Sequence, residues 1–282
     1  MQWLLSVLRN PEVNVWAGRC ALLLGTAFVL VLLAEWHGSR WLQAFGQAMH
    51  LMHTGKPQES EELLRKLARK TFGTQRTAAL AAVGVCHMHR GEYAEAVALL
   101  EPLMERRMPR TMRMDEVALR GHLALCLAML GETRRAWYWL GEAHRRFGGR
   151  VTFLALPEVA ILCREGHLGA ALKYMELSWP LLMDDGLVCP RIRLFRAFAK
   201  SKVDATVNTA PVLLALLSLA PFPEKELAFC REHWPVLADF MQVGQDLVTR
   251  REQERATREA EWQAEWDAKR KNKPKPEDGS SG

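Results

Sequence analysis

Residues 80–103 read LAAVGVCHMHRGEYAEAVALLEPL, and this stretch decides the fold class of the chain. An apolar-periodic run ends at Gly91 and a second one begins directly after it, as expected where a helix stops at a glycine and the chain turns back into another helix. Gly55, Gly131 and Gly166 stand in the same setting, so that the four glycines follow one another at intervals of 36, 40 and 35 residues. This interval predicts helical hairpins that repeat over residues 41–185.

Side-chain size repeats in step with the four glycines. The positions seven before and five after each glycine are mostly small: Ala48, Gly84, Ala124 and Val159, then Ser60, Ala96, Ala136 and Ala171. The positions four before and nine after are mostly large: Leu51, His87, Leu127 and Leu162, then Leu64, Leu100, Leu140 and Met175. Two helices approach closely only where their side chains are small, and the large residues bury the face that a single hairpin leaves open. The pattern therefore predicts hairpins that stack.

The second unit resembles the tetratricopeptide repeat, because Gly84, Gly91, Tyr93 and Ala96 occupy the places of that motif. The third unit, RGHLALCLAMLGETRRAWYWLGEA, keeps Gly131, Ala136 and Ala143, and the fourth keeps Gly166 and Ala171. Two departures weaken the outer units: Ser60 replaces an alanine in the first, and Pro157 falls inside the expected first helix of the fourth. The resemblance covers about half of the chain. It implies an all-α, right-handed solenoid of tetratricopeptide-like hairpins with a groove that binds peptides or partner helices.

Some members of that family bind acidic carboxyl termini through Lys and Asn on the first helix of each hairpin. The corresponding positions here are apolar: Phe45 and Met49, Ala81 and Val85, Gly121 and Leu125. A carboxylate clamp is therefore not expected. An apolar groove favours an extended segment or a helix of a protein partner as its ligand.

The amino-terminal segment, residues 1–40, is predicted to contain a membrane anchor. Residues 20–34 carry no charge, and the apolar stretch widened to residues 16–36 reaches about 31 Å as a helix, which matches the hydrocarbon thickness of a bilayer. The residues assigned to the anchor are Trp16, Leu22, Phe28, Leu32 and Trp36. A helix buried in the solenoid is the alternative, and a cleaved signal peptide ranks third because no small-x-small site follows. The charges flanking the span and the single free cysteines point to opposite orientations, so a single-pass membrane location is expected without an orientation.

An arginine-rich stretch precedes and includes the third hairpin. Arg106, Arg107, Arg110 and Arg113 cluster around Pro109, and Arg134, Arg135, Arg145 and Arg146 follow. A solvated basic face is the simpler interpretation. The functional interpretation assigns the first four arginines to an acidic protein partner or to the anionic leaflet beside an anchor. Nucleic acid is unlikely, because the net charge of +6 is mild and no binding motif accompanies it.

Three segments follow the repeats. Residues 186–248 are predicted to form a helical cap, in which PVLLALLSLAPF, residues 211–222, is a buried helix too short to cross a bilayer. Residues 249–270 predict a charged helix that carries Trp262 and Trp266 four residues apart on one face. Docking of this pair on the chain's own surface is slightly favoured over a role in binding a partner. Residues 271–282 are disordered by composition.

No catalytic, cofactor-binding or metal-binding residue is predicted. His50 and His53, and His87 with His89, lack a carboxylate or cysteine at metal-ligand spacing, and the six cysteines stand singly. The hydrophobic share of 49% excludes wholesale disorder. The leading hypothesis is a non-enzymatic adaptor or assembly factor, a tetratricopeptide-like module held at a membrane that binds a protein partner and no small-molecule substrate. The alternative is a cytoplasmic scaffold or regulatory subunit of an enzyme complex, with no membrane span.

Overall fold

A computed structural model describes residues 39–105, 113–147, 152–183, 189–203 and 210–271. Within these ranges the chain forms twelve helices and no strand, so the all-α class is confirmed there. The helices are α1 (39–53), α2 (Pro57–Lys70), α3 (Gly73–His89), α4 (Tyr93–Glu105), α5 (Arg113–Leu130), α6 (Thr133–Arg146), α7 (Thr152–Arg164), α8 (Leu168–Met183), α9 (Cys189–Val203), α10 (Ala210–Leu219), α11 (Glu224–His233) and α12 (Pro235–Lys271).

The chain divides into two compact units, residues 1–86 and 87–282, with the boundary inside α3. In the first unit, Ala48 and Met52 of α1 and Leu64 of α2 are buried. The hydroxyl of Ser60 donates a hydrogen bond of 2.7 Å to the carbonyl oxygen of Ala48. Serine can therefore replace alanine at this position, because its hydroxyl group is buried with an acceptor.

In the second unit the helices pack against their neighbours in the chain. From α4 to α9 each helix contacts the next, and α5 also contacts α7, which in turn contacts α9. Each of these helices thus contacts the next one in the chain. In addition, the first helix of one hairpin contacts the first helix of the following hairpin. Helix α7 continues through Pro157, so the proline that departs from the repeat motif does not prevent this helix from forming.

The carboxy-terminal helices differ from the predicted cap. Helix α10 contacts α9 and α12, but only Leu216 among its residues is buried and Leu214 is 66% exposed. The prediction that this segment is a buried helix is wrong, because Leu216 alone among the residues of α10 is buried. Helix α12 runs without a break from Pro235 to Lys271, so the predicted charged helix continues a helix that begins inside the predicted cap.

No helix in the described ranges has both the length and the apolar character that crossing a bilayer requires. The predicted anchor, residues 16–36 with Trp16, Leu22, Phe28, Leu32 and Trp36, lies outside the described residues, as does the tail after residue 271.

Candidate protein interaction surfaces

The four repeat glycines occupy the same kind of bend. Gly55, Gly91, Gly131 and Gly166 have φ values of 79°, 77°, 87° and 80°, in the left-handed region that glycine adopts without steric cost. At each one the glycine N–H donates to the carbonyl three residues back, and the following N–H donates to the carbonyl five residues back. This pair of bonds is the Schellman arrangement that ends a helix. One local geometry therefore joins the two helices of every unit.

The residue after each glycine starts the next helix in the same way. The carbonyls of Lys56, Glu92, Glu132 and His167 accept from the N–H groups of the residues four further on, which are Ser60, Ala96, Ala136 and Ala171. All four of these small residues are fully buried, and so are the large residues Leu64, Leu100, Leu140 and Met175. Ala48, Gly84, Ala124 and Val159 are buried as well. The positions seven before, five after and nine after each glycine are thus buried in all four repeats, whereas of the positions four before it His87 and Leu127 are buried and Leu51 and Leu162 are half-buried.

The positions that would form a clamp in the family are only partly accessible. Ala81, Val85, Gly121 and Leu125 are buried, whereas Phe45 and Met49 on α1 are half-buried. Trp41 stacks on Phe45 with ring centroids 4.8 Å apart, and Leu42 beside it is exposed. Of the six apolar positions assigned to the groove, those on α1 are the ones open to a ligand.

Helix α9 reaches back to the beginning of the second unit through Arg191. Its Nη2 donates to the carbonyl of Met88 at 3.2 Å, and its guanidinium lies 5.8 Å from the ring centroid of Tyr93. Tyr93 is fully buried and also contacts Phe229 of α11, with ring centroids 4.7 Å apart. Burial raises the pKa of the Tyr93 phenol far above its ordinary value, so the ring stays neutral. The repeat tyrosine thus anchors later helices of the chain.

A second arginine joins a repeat bend to the junction between α11 and α12. Arg164 donates from Nη2 to the carbonyl of His233 and lies 4.9 Å from the ring centroid of Trp234. Its guanidinium covers Gly131, where a Cβ would stand 2.6 Å from Nη2. Burial lowers the pKa of Arg164 somewhat, and the group remains cationic. The roles of Arg164 and Arg191 were not predictable from the sequence, because their partners lie far along the chain and leave no local pattern.

Most of the arginines on α6 form ion pairs with glutamates of the same chain. Arg135 is held by Glu101 at 2.5 Å and by Glu132, and these hydrogen bonds raise its pKa. Arg146 pairs with Glu116 at 2.9 Å, and Arg145 pairs with Glu142. Three of the four arginines on α6 thus have a carboxylate partner within the chain, although their side chains remain 43–69% exposed. The other predicted arginines, Arg106, Arg107, Arg110 and the side chain of Arg113, lie outside the described part of the chain.

The same hairpin contains a buried ion pair that the sequence signalled only by spacing. Arg120 Nη2 lies 2.7 Å from Glu116 Oε1, four residues earlier on α5, and both side chains are about 95% buried, at 5% and 6% exposure. Arg146 reaches the same oxygen, and Arg120 lies over the ring of Trp139 at 5.2 Å. In the sequence this pair is indicated by the spacing of an arginine four residues after a glutamate in an apolar helix.

Trp262 and Trp266 lie in the solvent-exposed part of α12. Their rings stack on each other with centroids 5.8 Å apart and planes 18° apart, and the residues are 63% and 54% exposed. The expected docking of the pair on the chain's own surface is not seen. The two indoles form an exposed aromatic surface instead.

Four cysteines have buried side chains in the described ranges. They are Cys86, Cys126, Cys163 and Cys230, and burial raises the pKa of the last three thiols to about 12. Thiols of this kind are protonated and unreactive. No group of three or more His, Cys, Asp or Glu residues suited to a metal ion occurs among the described residues.

A scan against protein-family models, a search of curated proteins and a search of solved structures found no match for this chain.

Proposed function

We propose that this chain is a non-enzymatic protein–protein interaction module, a tetratricopeptide-like adaptor or assembly factor held at a membrane by residues 16–36. The observation that carries the proposal is the fourfold recurrence of one bend, at Gly55, Gly91, Gly131 and Gly166, with buried small residues at fixed offsets. Stacked units of this kind gain their stability from neighbours and offer extended helical surfaces for binding.

The packing of the second unit supports the same proposal. First helices of successive hairpins contact each other, α5 with α7 and α7 with α9, as stacking of hairpins requires. Large side chains from both helices of the hairpins, such as Leu127 and Leu140, are fully buried. A single hairpin has no such core of its own, because its apolar face has to be covered by the next one.

The apolar side of α1 is the proposed contact for a partner segment. Leu42 is exposed, Phe45 and Met49 are half-buried, and all three belong to the first helix of the first repeat. An apolar stripe on a helix fits a partner helix or an extended segment that presents its own apolar side chains. Such a contact discriminates by shape and apolar area and needs no terminal carboxylate.

Site-specific photocross-linking tests this contact. A benzophenone amino acid would replace Phe45 in the full-length chain, and a matched variant would carry it at Tyr138, which is exposed on α6. After irradiation in the native membrane fraction, we expect a discrete adduct with another protein from position 45 and none from position 138. No adduct at position 45, or the same adduct from both positions, would contradict the proposal.

Carbonate extraction tests the membrane anchor separately. The full-length chain should stay with the membrane pellet at alkaline pH, and a variant lacking residues 1–40 should be released. Release of the full-length chain would favour the scaffold or regulatory-subunit alternative, which has no membrane span.

A further inference from the structure

Helix α12 consists of a packed root and an exposed extension. In the root, Leu237, Ala238 and Met241 are buried, and Gly244 lies so close to α10 that an added Cβ would stand 2.7 Å from Leu216 Cγ. Every residue from 251 to 270 is exposed. At 1.5 Å per residue this extension is about 30 Å long.

The tryptophans continue the packed face of the root. Trp262 follows buried Gly244 by 18 residues, which is five turns of an α-helix, and Trp266 follows half-buried Val248 by the same interval. The face that packs against the body of the unit therefore carries on into the extension, where its two largest residues are exposed. Exposed indoles on a regular helix face are typical of an interaction surface.

The residues along this face can pair with the same residues of a second copy that runs in the opposite direction. Glu259, Trp262, Trp266 and Lys269 are spaced by three, four and three residues, so they form one stripe on the helix. Read in the reverse direction, the stripe places a lysine where there was a glutamate and tryptophans where there were tryptophans. An isologous contact needs this property, because the same patch serves on both subunits.

We propose that the α12 extensions of two copies of this chain pair antiparallel, with the twofold axis passing near Ala264. Trp262 of each copy then lies against Trp266 of the other, and Glu259 of each copy faces Lys269 of the other. A parallel pair would instead bring glutamate against glutamate and lysine against lysine, which is unfavourable. The intrahelical partners do not prevent this exchange, because the Arg255–Glu259 and Glu265–Lys269 pairs are exposed and contribute little.

The available area indicates a reversible dimer. An aromatic side chain buries about 150–250 Å² in full, and Trp262 and Trp266 are 63% and 54% exposed, so the four indoles of a pair can bury about 350–600 Å². A standard stable interface buries about 1,200–2,000 Å², so the aromatic centre supplies roughly a third of that and the flanking charged residues extend it. We therefore expect a dissociation constant on the order of micromolar.

A charge exchange within the stripe tests the proposal on the full-length chain in a non-ionic detergent. Sedimentation equilibrium should show a concentration-dependent dimer for the wild type and about tenfold weaker association for E259K and for K269E. The double variant E259K/K269E should regain the wild-type association, because each lysine again faces a glutamate. W262A/W266A should remain monomeric over the range in which the wild type dimerises.

The matched control is E261K, which makes the same change of charge on an exposed residue of another face of α12. It should dimerise like the wild type, and circular dichroism should show unchanged helix content in every variant because the substituted residues are exposed. A monomeric wild type at 100 times the expected dissociation constant would overturn the proposal. An equal effect of E261K and E259K, or failure of the double variant to recover, would overturn the antiparallel register. Neither result bears on the proposed function of the repeats.

Discussion

Replacement of Gly131 by alanine should destabilise the second unit more than the same replacement at Gly166. Both glycines have left-handed φ values, +87° and +80°, so an alanine at either position costs about 1–2 kcal/mol of backbone strain. The two positions differ in their surroundings. An added Cβ meets nothing within 4 Å at Gly166, whereas at Gly131 it would lie 2.6 Å from Arg164 Nη2.

The guanidinium of Arg164 can move aside only by giving up its contacts with the junction between α11 and α12. It donates to the carbonyl of His233, a charge-assisted bond of a kind that contributes about 1.5–3 kcal/mol, and it packs on Trp234 at 4.9 Å. A cation–π contact at a partly exposed site adds about 0.5–1 kcal/mol. Because some of these contacts can re-form after a small shift, the extra cost of Gly131→Ala should be about 1–3 kcal/mol beyond that of Gly166→Ala.

Guanidinium denaturation of the full-length chain in detergent, followed by far-ultraviolet circular dichroism, measures both losses. A second pair of variants isolates the arginine: in an Arg164→Ala background, Gly131→Ala should cost no more than the backbone strain. Equal losses of unfolding free energy for the two glycine variants in the wild-type background would refute the reasoning. The reasoning would also fail if Gly131→Ala still cost more than Gly166→Ala in the Arg164→Ala background.

Three further outcomes are expected. Ser60→Ala should lower the free energy of unfolding of the first unit by about 0.5–1.5 kcal/mol, because the 2.7 Å bond to Ala48 is lost; thermal melting measures this loss, and an unchanged midpoint would contradict it. Hydrogen bonding from Arg90 holds the pKa of Glu92 below its ordinary value of 4.5, so the stabilisation is present at neutral pH and is lost as the pH falls through that lowered pKa. Glu92→Gln should therefore be less stable than the wild type at pH 7, with a difference in melting temperature that shrinks in acid; a difference independent of pH would be inconsistent with this reasoning. Burial raises the pKa of Cys126 to about 12, so this thiol should react with iodoacetamide at pH 8 only after denaturation. Mass spectrometry after labelling measures the reaction, and a carboxamidomethyl group on Cys126 of the native protein would contradict the prediction.

The local parts of the fold were predictable from the sequence. A glycine between two apolar-periodic runs specifies a helix end, since only glycine adopts the left-handed conformation there without steric cost, and all four bends have this form. The small residues five after each glycine and the large residues nine after it are fully buried in all four repeats, as expected where two helices approach closely.

The tertiary parts could not be predicted in the same way. The apolar sequence of α10 indicated burial, but hydrophobicity alone does not say how much of a helix a neighbour covers, and Leu214 is exposed. The change from apolar to charged residues near position 248 suggested a boundary. The backbone continues through it, because a change of surroundings does not end a helix that has no glycine or proline at that point.

The surfaces were the least predictable feature. A repeat motif identifies which positions on the first helix of each hairpin would line a groove. It does not indicate whether later helices of the same chain cover those positions. Leu125 is buried, and Arg191 from a distant helix reaches Met88 and Tyr93. For the exposed tryptophans, the spacing in the sequence predicted that both lie on one face of a helix. That this face continues the packed face of α12 is known only from the structure.

The bond from Arg191 to the carbonyl of Met88 joins positions 103 residues apart. Neighbour-only stacks melt gradually, because the terminal hairpin can detach while the others persist. The contact of Arg191 on α9 with Met88, just before α4, opposes such fraying in the run of helices from α4 to α9, since loosening either end of this run also removes support from the other. We therefore expect the described residues between 87 and 203 to exchange their slowest amide hydrogens at a single shared rate, as one cooperative block.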